Sequence, residues 1–315
     1  MDRQITYHIK EEYMTIKHFL RSRRYPRAVL MQLKNHECQV LLNDLPQPLW
    51  KPLHPSDRLD ITIKEEKKGS LQLTPVEAPL KIIYEDEDLL VVDKASGMSI
   101  HPSFNHYEDS LANAVLAYYG QRNESIVFRC INRLDKETSG LTIIAKNMLS
   151  AAILGIDVKN RQIHREYRAV VEGTLAADGI WHRVDIPIGR MPGSALMRQA
   201  DKDGGKPAVT WYQCLYATDS HSLLKLRLET GRTHQIRVHM NCIGHPLPGD
   251  YLYHPVFDRI GRVPLHSCRL ELTQPVTGKK LVFESPLPED MERIMSGKRP
   301  AVPVDNQSDK SYNNI

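Results

Sequence analysis

Residues 131–141 read Ile131-Asn132-Arg133-Leu134-Asp135-Lys136-Glu137-Thr138-Ser139-Gly140-Leu141. Acids, bases and two hydroxyl residues are crowded between apolar flanks. Upstream lie Ile126-Val127-Phe128, with Cys130 and Ile131 close behind; downstream run Leu141-Thr142-Ile143-Ile144-Ala145. Both flanks are rich in β-branched and apolar residues and short enough to be buried strands. Between them Asp135, Thr138, Ser139 and Gly140 supply turn chemistry. The stretch predicts a polar loop held between two core strands, a rigid mount for Asp135. An ordinary strand connection with a solvated charge cluster reads the same from spacing alone, since loops carry function disproportionately yet most charged loops do not.

Working outward, residues 82–84, the acidic turn 85–88 and residues 89–94 predict a hairpin with a buried second strand. Ala95-Ser96-Gly97 then lead to His101 and Pro102; Lys94 and His101 read as structural residues of a strand-end loop. Leu111, Ala114, Val115 and Tyr118 fall at i, i+3, i+4 and i+7, an amphipathic helix capped by Ser110 or Asp109. After the central loop, residues 148–158 read as a helix. Residues 161–173 alternate towards a strand, with Tyr167, Ala169 and Val171 on one side. Residues 185–210 are rich in Gly and Arg and predict a long surface loop between strands. Their Gly189-Arg190-Met191-Pro192-Gly193 lacks the Gly-Lys-Ser/Thr ending of a phosphate loop.

Residues 223–230 predict another strand. Thr233 is placed to N-cap a helix whose Ile236, Met240 and Ile243 line one face; Gly244 suits its C′ position and Pro246 follows. Residues 265–272 and 280–283 are late strands, with Pro275 and Thr277-Gly278 in the turn, and a short helix follows Ser285-Pro286. Strands outnumber helices from residue 80 on, and most connections are short. That pattern predicts an α+β domain on a largely antiparallel mixed sheet with flanking helices.

Residues 13–36 hold no acid but carry Lys17, Arg21, Arg23, Arg24, Arg27 and Lys34. Ile16, Phe19 and Leu20 recur at helical spacing, and Pro26 suits the first turn of a second helix with Val29, Leu30 and Leu33 on its apolar face. Strands at 39–42 and 58–63 follow, with an Asn43-Asp44 turn. The unit is a small α/β domain over residues 1–68. Residues 69–79 read as a linker, 80–296 as the main domain, and 297–315, polar and without apolar periodicity, as a disordered tail.

At 315 residues the chain can bury a large core. Its composition is that of a soluble globular protein. A net charge of +4 and a pI near 8.7 permit a nucleic-acid partner without requiring one. The five cysteines are scattered, with no Cys-x-x-Cys, which favours a reducing compartment over a disulfide frame or a thiolate zinc site. The first residues hold no signal-peptide core, and no apolar run approaches the roughly 20 residues of a membrane span. These features predict a cytoplasmic protein. His234 and His239 lie about 140° apart on a helix, and no His-Glu-x-x-His is present, so no metal is expected.

Arg-Leu-Asp-x-x-Thr-Ser-Gly-Leu at 133–141 resembles the central motif of the RluA-like pseudouridine synthases, which isomerise uridine within RNA. Two further segments support the resemblance in the family's order. Residues 94–97 look like the first motif, with Ala95 in place of the usual proline. Gly231-Arg232-Thr233-His234-Gln235-Ile236-Arg237 closely resembles the third. The family usually has His before Arg-Leu-Asp; this chain has Asn132.

The resemblance implies that Asp135 is the catalytic aspartate and that Arg237 pairs with it. It implies that Tyr167 lies against the target uracil and that Arg133 fills the gap left by a flipped base. It places Arg232, His234 and Gln235 on the substrate. Two basic helices followed by small strands resemble an S-four-like RNA-binding domain, so Lys17, Arg21, Arg24 and Arg27 are expected to contact RNA. The implied partner is RNA, ribosomal RNA first and transfer RNA second, acted on by a monomer.

Pseudouridine formation breaks the N-glycosidic bond, turns the base and joins C5 to the ribose. Nothing is oxidised or lost, so no cofactor is implied. What the reaction needs is an ionised carboxylate in a water-poor pocket. Burial alone would raise its pKa, and a nearby guanidinium would lower it. Two rival readings remain at this stage. One is an RNA-binding protein of the same fold without activity; the other is a glycosidase using Asp135 and Glu137 as a carboxylate pair.

Overall fold

The structure, a computed structural model, describes residues 2–34, 38–65, 73–103, 107–257 and 259–297. The first part of the expected linker (residues 69–72) and the expected tail beyond 297 lie outside the described residues.

Residues 3–63 build a four-stranded sheet from β1 (Arg3–His8), β2 (Gln39–Leu42), β3 (Leu45–Pro46) and β4 (Arg58–Ile63), in the order β1-β4-β2-β3. All three pairings are antiparallel. Asn43 and Asp44 both have positive φ (51° and 72°), which suits the tight β2–β3 hairpin they close. Helices α1 (Ile16–Ser22) and α2 (Arg27–Gln32) cover one face, burying Ile16, Phe19, Leu20, Val29 and Leu30. The strand β1 was not legible in the sequence. Its apolar alternation is a short Ile5 and Tyr7 among polar residues, and β4 pairs with it along its whole length.

The second sheet has nine strands. Its order is β5 (Lys81–Glu85), β6 (Leu89–Lys94), β7 (Ser139–Ala145), β14 (Leu265–Thr273), β8 (His164–Glu172), β13 (His221–Leu228), β12 (Val209–Ala217) and β9 (His182–Asp185), with β15 (Lys280–Glu284) paired to β14. The β7–β14 pairing is parallel; the others are antiparallel. The chain is therefore α+β on a largely antiparallel mixed sheet.

The strands β6 and β7 are buried on both faces, which explains their unbroken apolar runs. Leu90, Val92 and Ile144 pack under α3 (Leu111–Gly120). Leu89, Val91, Leu141 and Ile143 pack with Leu154 of α4 (Met148–Lys159). Strands β8, β13 and β14 instead offer one face to α5 (Gln235–Cys242), through Tyr167, Ala169, Leu224 and Leu226 against Ile236 and Met240. Helix α6 (Glu289–Met295) covers Val170 and Leu223. The second helix, α4, also lends Leu149 and Ile153 to the core of the N-terminal sheet.

Three expectations change. Residues 126–128 form no strand: Ile126 and Phe128 are buried in the cluster beneath α3 without a ladder. An apolar run records burial, not the presence of a hydrogen-bonding partner. The segment 185–210 is not one loop, because β10 (Ile188–Arg190) and β11 (Arg198–Ala200) form a hairpin within it. The N-cap of α5 is His234 rather than Thr233.

Candidate active site

The loop 131–139 is clamped at its base. Ile131 N–H donates to Ile143 O at 2.8 Å, and Ala145 N–H donates to Arg129 O at 2.9 Å. Asn132 completes the closure. Its amide nitrogen donates to Leu141 O (3.0 Å) and its carbonyl oxygen accepts from Ile143 N–H (2.8 Å). The carboxamide thus imitates a peptide unit of a neighbouring strand, presenting one donor and one acceptor to β7.

A second clamp comes from the end of β6. Lys94 Nζ donates to Ala95 O (2.8 Å), Met98 O (2.7 Å) and Lys136 O (3.0 Å). Gly97 N–H also donates to Lys136 O, and Ser96 Oγ donates to Glu137 O at 2.6 Å. Burial pulls the Lys94 ammonium down to about 7, against the attraction of Glu137 and Asp135. Lys94 and Ser96 thus hold the backbone that follows Asp135, the structural role that the sequence assigned to Lys94. Within the loop, Thr138 N–H turns back to Asp135 O at 3.1 Å.

The opposite wall is the start of α5. The helix ends as the sequence predicts: Gly244, at φ +81°, donates to Asn241 O, and His245 N–H donates to Met240 O. This is the paired bonding of a left-handed C-terminal cap. At the other end, His234 adopts φ +57°, a conformation uncommon for a residue with a side chain and frequent at functional sites. One helical turn in, Arg237 is buried with 1% of its side chain exposed. Its Nη1 lies 3.7 Å from Asp135 Oδ2. Its Nε and Nη2 donate to the two carboxylate oxygens of Asp250, at 2.7 and 2.6 Å. The rings of Tyr251 and Tyr253 flank the guanidinium at 5.4 and 5.1 Å. Burial opposes the charge on Arg237, but Asp250 foremost, with Asp135, raises its pKa.

Arg198 N–H donates to the Tyr253 hydroxyl oxygen at 2.9 Å, and the same oxygen lies 3.0 Å from His234 Nδ1. A hydroxyl oxygen has two lone pairs, so accepting from Arg198 leaves either partner free to donate in the contact with Nδ1. Burial holds His234 down to about 4, with Asp135 and Arg237 pulling in opposite directions. The imidazole is neutral near pH 7.

This site can now be set beside known proteins. The pattern of the family described as RNA pseudouridylate synthase matches residues 88–242, which span the central loop and the start of α5. An uncharacterized RNA pseudouridine synthase of Bacillus subtilis is 37% identical over 286 residues, covering 90% of this chain and 99% of the relative. The chain belongs to the RluA-like RNA pseudouridine synthase family. It is an isomerase that converts uridine to pseudouridine in RNA. The ribosomal large subunit pseudouridine synthase D of Neisseria meningitidis is 35% identical over 272 residues, 82% of this synthase and 72% of the relative. That of Nitrosomonas europaea is 41% identical over 230 residues, 70% of this synthase and 66% of the relative. The solved structure of human RNA pseudouridylate synthase domain containing 1 superposes with a TM-score of 0.55 at 26% identity, covering 70% of this synthase and 97% of that chain.

In the synthase, Asp135 and Arg237 come together although they lie far apart in the chain. Arg133 is exposed on the same loop and helps burial to lower the pKa of His101. Tyr167 shares an apolar cluster with Leu134 and Ile236, the neighbours of Asp135 and Arg237, but is only 4% exposed. It is therefore no surface stacking platform. Arg232 is exposed, with its Nε donating to Pro207 O at 3.0 Å.

Gln235 does not fit the substrate role. Its Oε1 accepts from Thr230 Oγ1 and Arg232 N–H, while its Nε2 donates to Val209 O and Thr210 Oγ1. Every hydrogen-bonding position of the side chain is spent on bracing α5 against β12. Arg24 departs likewise: it pairs with Asp157 of α4 instead of lining the basic face. Lys17, Arg21 and Arg27 do line a cleft of about 340 Å3, together with Lys34, Leu30, Met31 and Leu49. That cleft belongs to the N-terminal helices, and Asp135 is no part of its lining. Asp250, Tyr251 and Tyr253 escaped the sequence reading. Asp250 is the single acid between Glu229 and Asp258, in a stretch with two arginines, and that charge balance was the available signal.

Proposed function

We propose that this synthase isomerises uridines of ribosomal RNA, with Asp135 as the reacting carboxylate and Arg237 facing it. The contact of Arg237 Nη1 with Asp135 Oδ2, made by a buried guanidinium, carries the assignment. Carboxylate nucleophiles are established in glycosyl transfer. The target uridine leaves its stack, at a cost of a few kcal/mol, before the carboxylate reaches it. Arg133, exposed on the loop, takes the place of the departed base. The neutral His234 contributes a hydrogen-bonding imidazole to the nucleotide. Tyr167, buried in the free protein, meets the base once the nucleotide has entered.

The Asp135 side chain keeps 28% of its surface exposed. The dry pocket that the chemistry needs is closed by the RNA itself, since excluding water strengthens every charge interaction inside. The N-terminal unit, residues 1–68, is an RNA-binding domain whose cleft holds phosphates with Lys17, Arg21, Arg27 and Lys34; the catalytic domain spans 80–296. The protein works as a cytoplasmic monomer without a metal. Among the described residues no helix is long and apolar enough to cross a membrane. The names of the Neisseria and Nitrosomonas relatives support the large ribosomal subunit as the source of the RNA.

Unmodified large-subunit RNA, small-subunit RNA and transfer RNA, each incubated with the protein and mapped chemically for pseudouridine, test this. New pseudouridine at discrete positions of the large-subunit RNA is the expected outcome. Modification confined to transfer RNA overturns the ribosomal assignment.

A further inference from the structure

Arg237 and Asp135 stand 3.7 Å apart, farther than a hydrogen bond reaches. That separation is unusual for a buried arginine beside a carboxylate. Guanidinium and carboxylate normally close into a two-pronged pair, which uses both oxygens of the acid. Here the two-pronged pair exists, but with Asp250. Nε and Nη2 take its two oxygens at 2.7 and 2.6 Å, and both side chains are 1% exposed. Asp250 is itself aimed: its Oδ1 also accepts from Leu252 N–H at 3.1 Å and Tyr253 N–H at 3.3 Å. The preceding Gly249 has φ +68°, and a Cβ there would meet Arg262 O and Ile260 O at 2.7 Å, so the chain entering Asp250 is fixed by close backbone packing.

We propose that Asp250 is a positioning residue for the isomerisation: it holds Arg237 off Asp135, so that the guanidinium attracts the reacting carboxylate without occupying its lone pairs. The inference rests on the assignment of Asp135 as the reacting group. Its physical content is a competition. Arg237 has one strong two-pronged edge. Given to Asp250, that edge leaves only Nη1 towards Asp135, and the oxygens of Asp135 stay open to the nucleotide. Without Asp250, the same edge turns to Asp135, the nearest remaining carboxylate, and ties it up. The rings of Tyr251 and Tyr253, 5.4 and 5.1 Å from the guanidinium carbon, add a favourable cation–ring contact to its place beside Asp250.

Single-turnover kinetics on a uridine-containing RNA substrate, run below the melting temperature of each variant, test the proposal with Asp250→Asn and Asp250→Glu. Asp250→Asn should lower kcat about 100-fold, the scale of a misplaced catalytic contact, with KM changed less than about threefold. Asp250→Glu keeps a carboxylate for the buried ion pair. It shifts the guanidinium by one methylene and should lower kcat about tenfold. A purely structural acid gives the opposite pattern: wild-type kcat in Asp250→Glu, or a loss in Asp250→Asn that lies in KM. Either result overturns the proposal. Asp135→Asn, run in parallel, separates the two levels. If it is inactive while both Asp250 variants turn over at the wild-type rate, only the positioning role falls. If Asp135→Asn itself turns over normally, the assignment beneath it falls.

Discussion

Lys94 and Asn132 show what single side chains contribute here. Neither faces RNA chemistry directly; each stands in for backbone. Asn132 supplies the donor and acceptor that a neighbouring strand would have offered β7, and so the departure from the family's usual histidine leaves the mount of Asp135 intact. Lys94 gathers three carbonyl oxygens, one of them from the residue after Asp135. Lys94→Met leaves these acceptors buried without donors and should cost about 3 kcal/mol. Its pH signature has a definite sign. The folded state holds the Lys94 proton only up to about 7, while the unfolded chain holds it to near 10.5. Between those limits the unfolded chain binds more protons, so stability contributed by Lys94 rises with pH. Urea melts of wild type and Lys94→Met across pH 7 to 10 should show that rise in the first and not in the second; parallel pH profiles would refute it. Motif and order made Asp135 and Arg237 legible in the sequence. It hid Asp250, because an ion pair formed across a turn leaves no periodic trace.

Among the elements, the junction of β7 with β14 is decided by one glycine. Gly140 has φ +110°, and a Cβ there would overlap the Ser267 carbonyl and lie 2.6 Å from its amide nitrogen. The parallel pairing of the two strands runs through this point, with Ser267 opposite Gly140 and His266 opposite Ser139. Gly140→Ala therefore meets both a forbidden backbone region and fixed main-chain atoms. It should destabilise by more than about 4 kcal/mol, beyond ordinary point changes. Thermal unfolding measures it, and a variant melting with the wild type would contradict the reading. The sequence marked Gly140 as turn chemistry, which is half right: the glycine sits inside a strand and serves close approach. Helix α4 buries one face through Leu149, Ile153 and Leu154, while α3 and α5, buried nearly all round, were legible from their spaced apolar residues and their termini. The strands β1, β9 and β12 and the β10–β11 hairpin were not, because their partners, not their own patterns, determine them.

Taken whole, the molecule couples a basic N-terminal unit to the sheet that carries the site. The two are fastened together. Arg3 Nε reaches Asp88 at 2.9 Å, Arg24 pairs with Asp157, and Glu65 pairs with Arg129 at 2.6 Å. Leu149 and Ile153 of α4 complete the N-terminal core. The cleft of Lys17, Arg21, Arg27 and Lys34 is thereby mounted at a fixed place relative to Asp135, and on the proposal that RNA binds there its uridine is presented at a set distance. Reversing two of these charges, Arg21→Glu with Arg27→Glu, should weaken RNA binding and reduce the slope of log affinity against log salt by about 2. The melting temperature should not move, because both side chains are exposed. Filter-binding titrations over a range of salt give the slope, and an unchanged slope removes the cleft from the RNA-binding surface. The basic stripe was legible from its freedom from acids. What the sequence could not show is that Arg24 leaves the stripe to tie the two parts together.

The account turns on one carboxylate. When C5 of uridine becomes bonded to the ribose, it gives up its hydrogen, so RNA labelled with tritium at C5 reports each turnover as tritium in the solvent. Wild-type protein should release tritium in step with pseudouridine formation. Asp135→Asn should release none above background while still binding the RNA. Tritium release by Asp135→Asn at the wild-type rate would contradict the account outright.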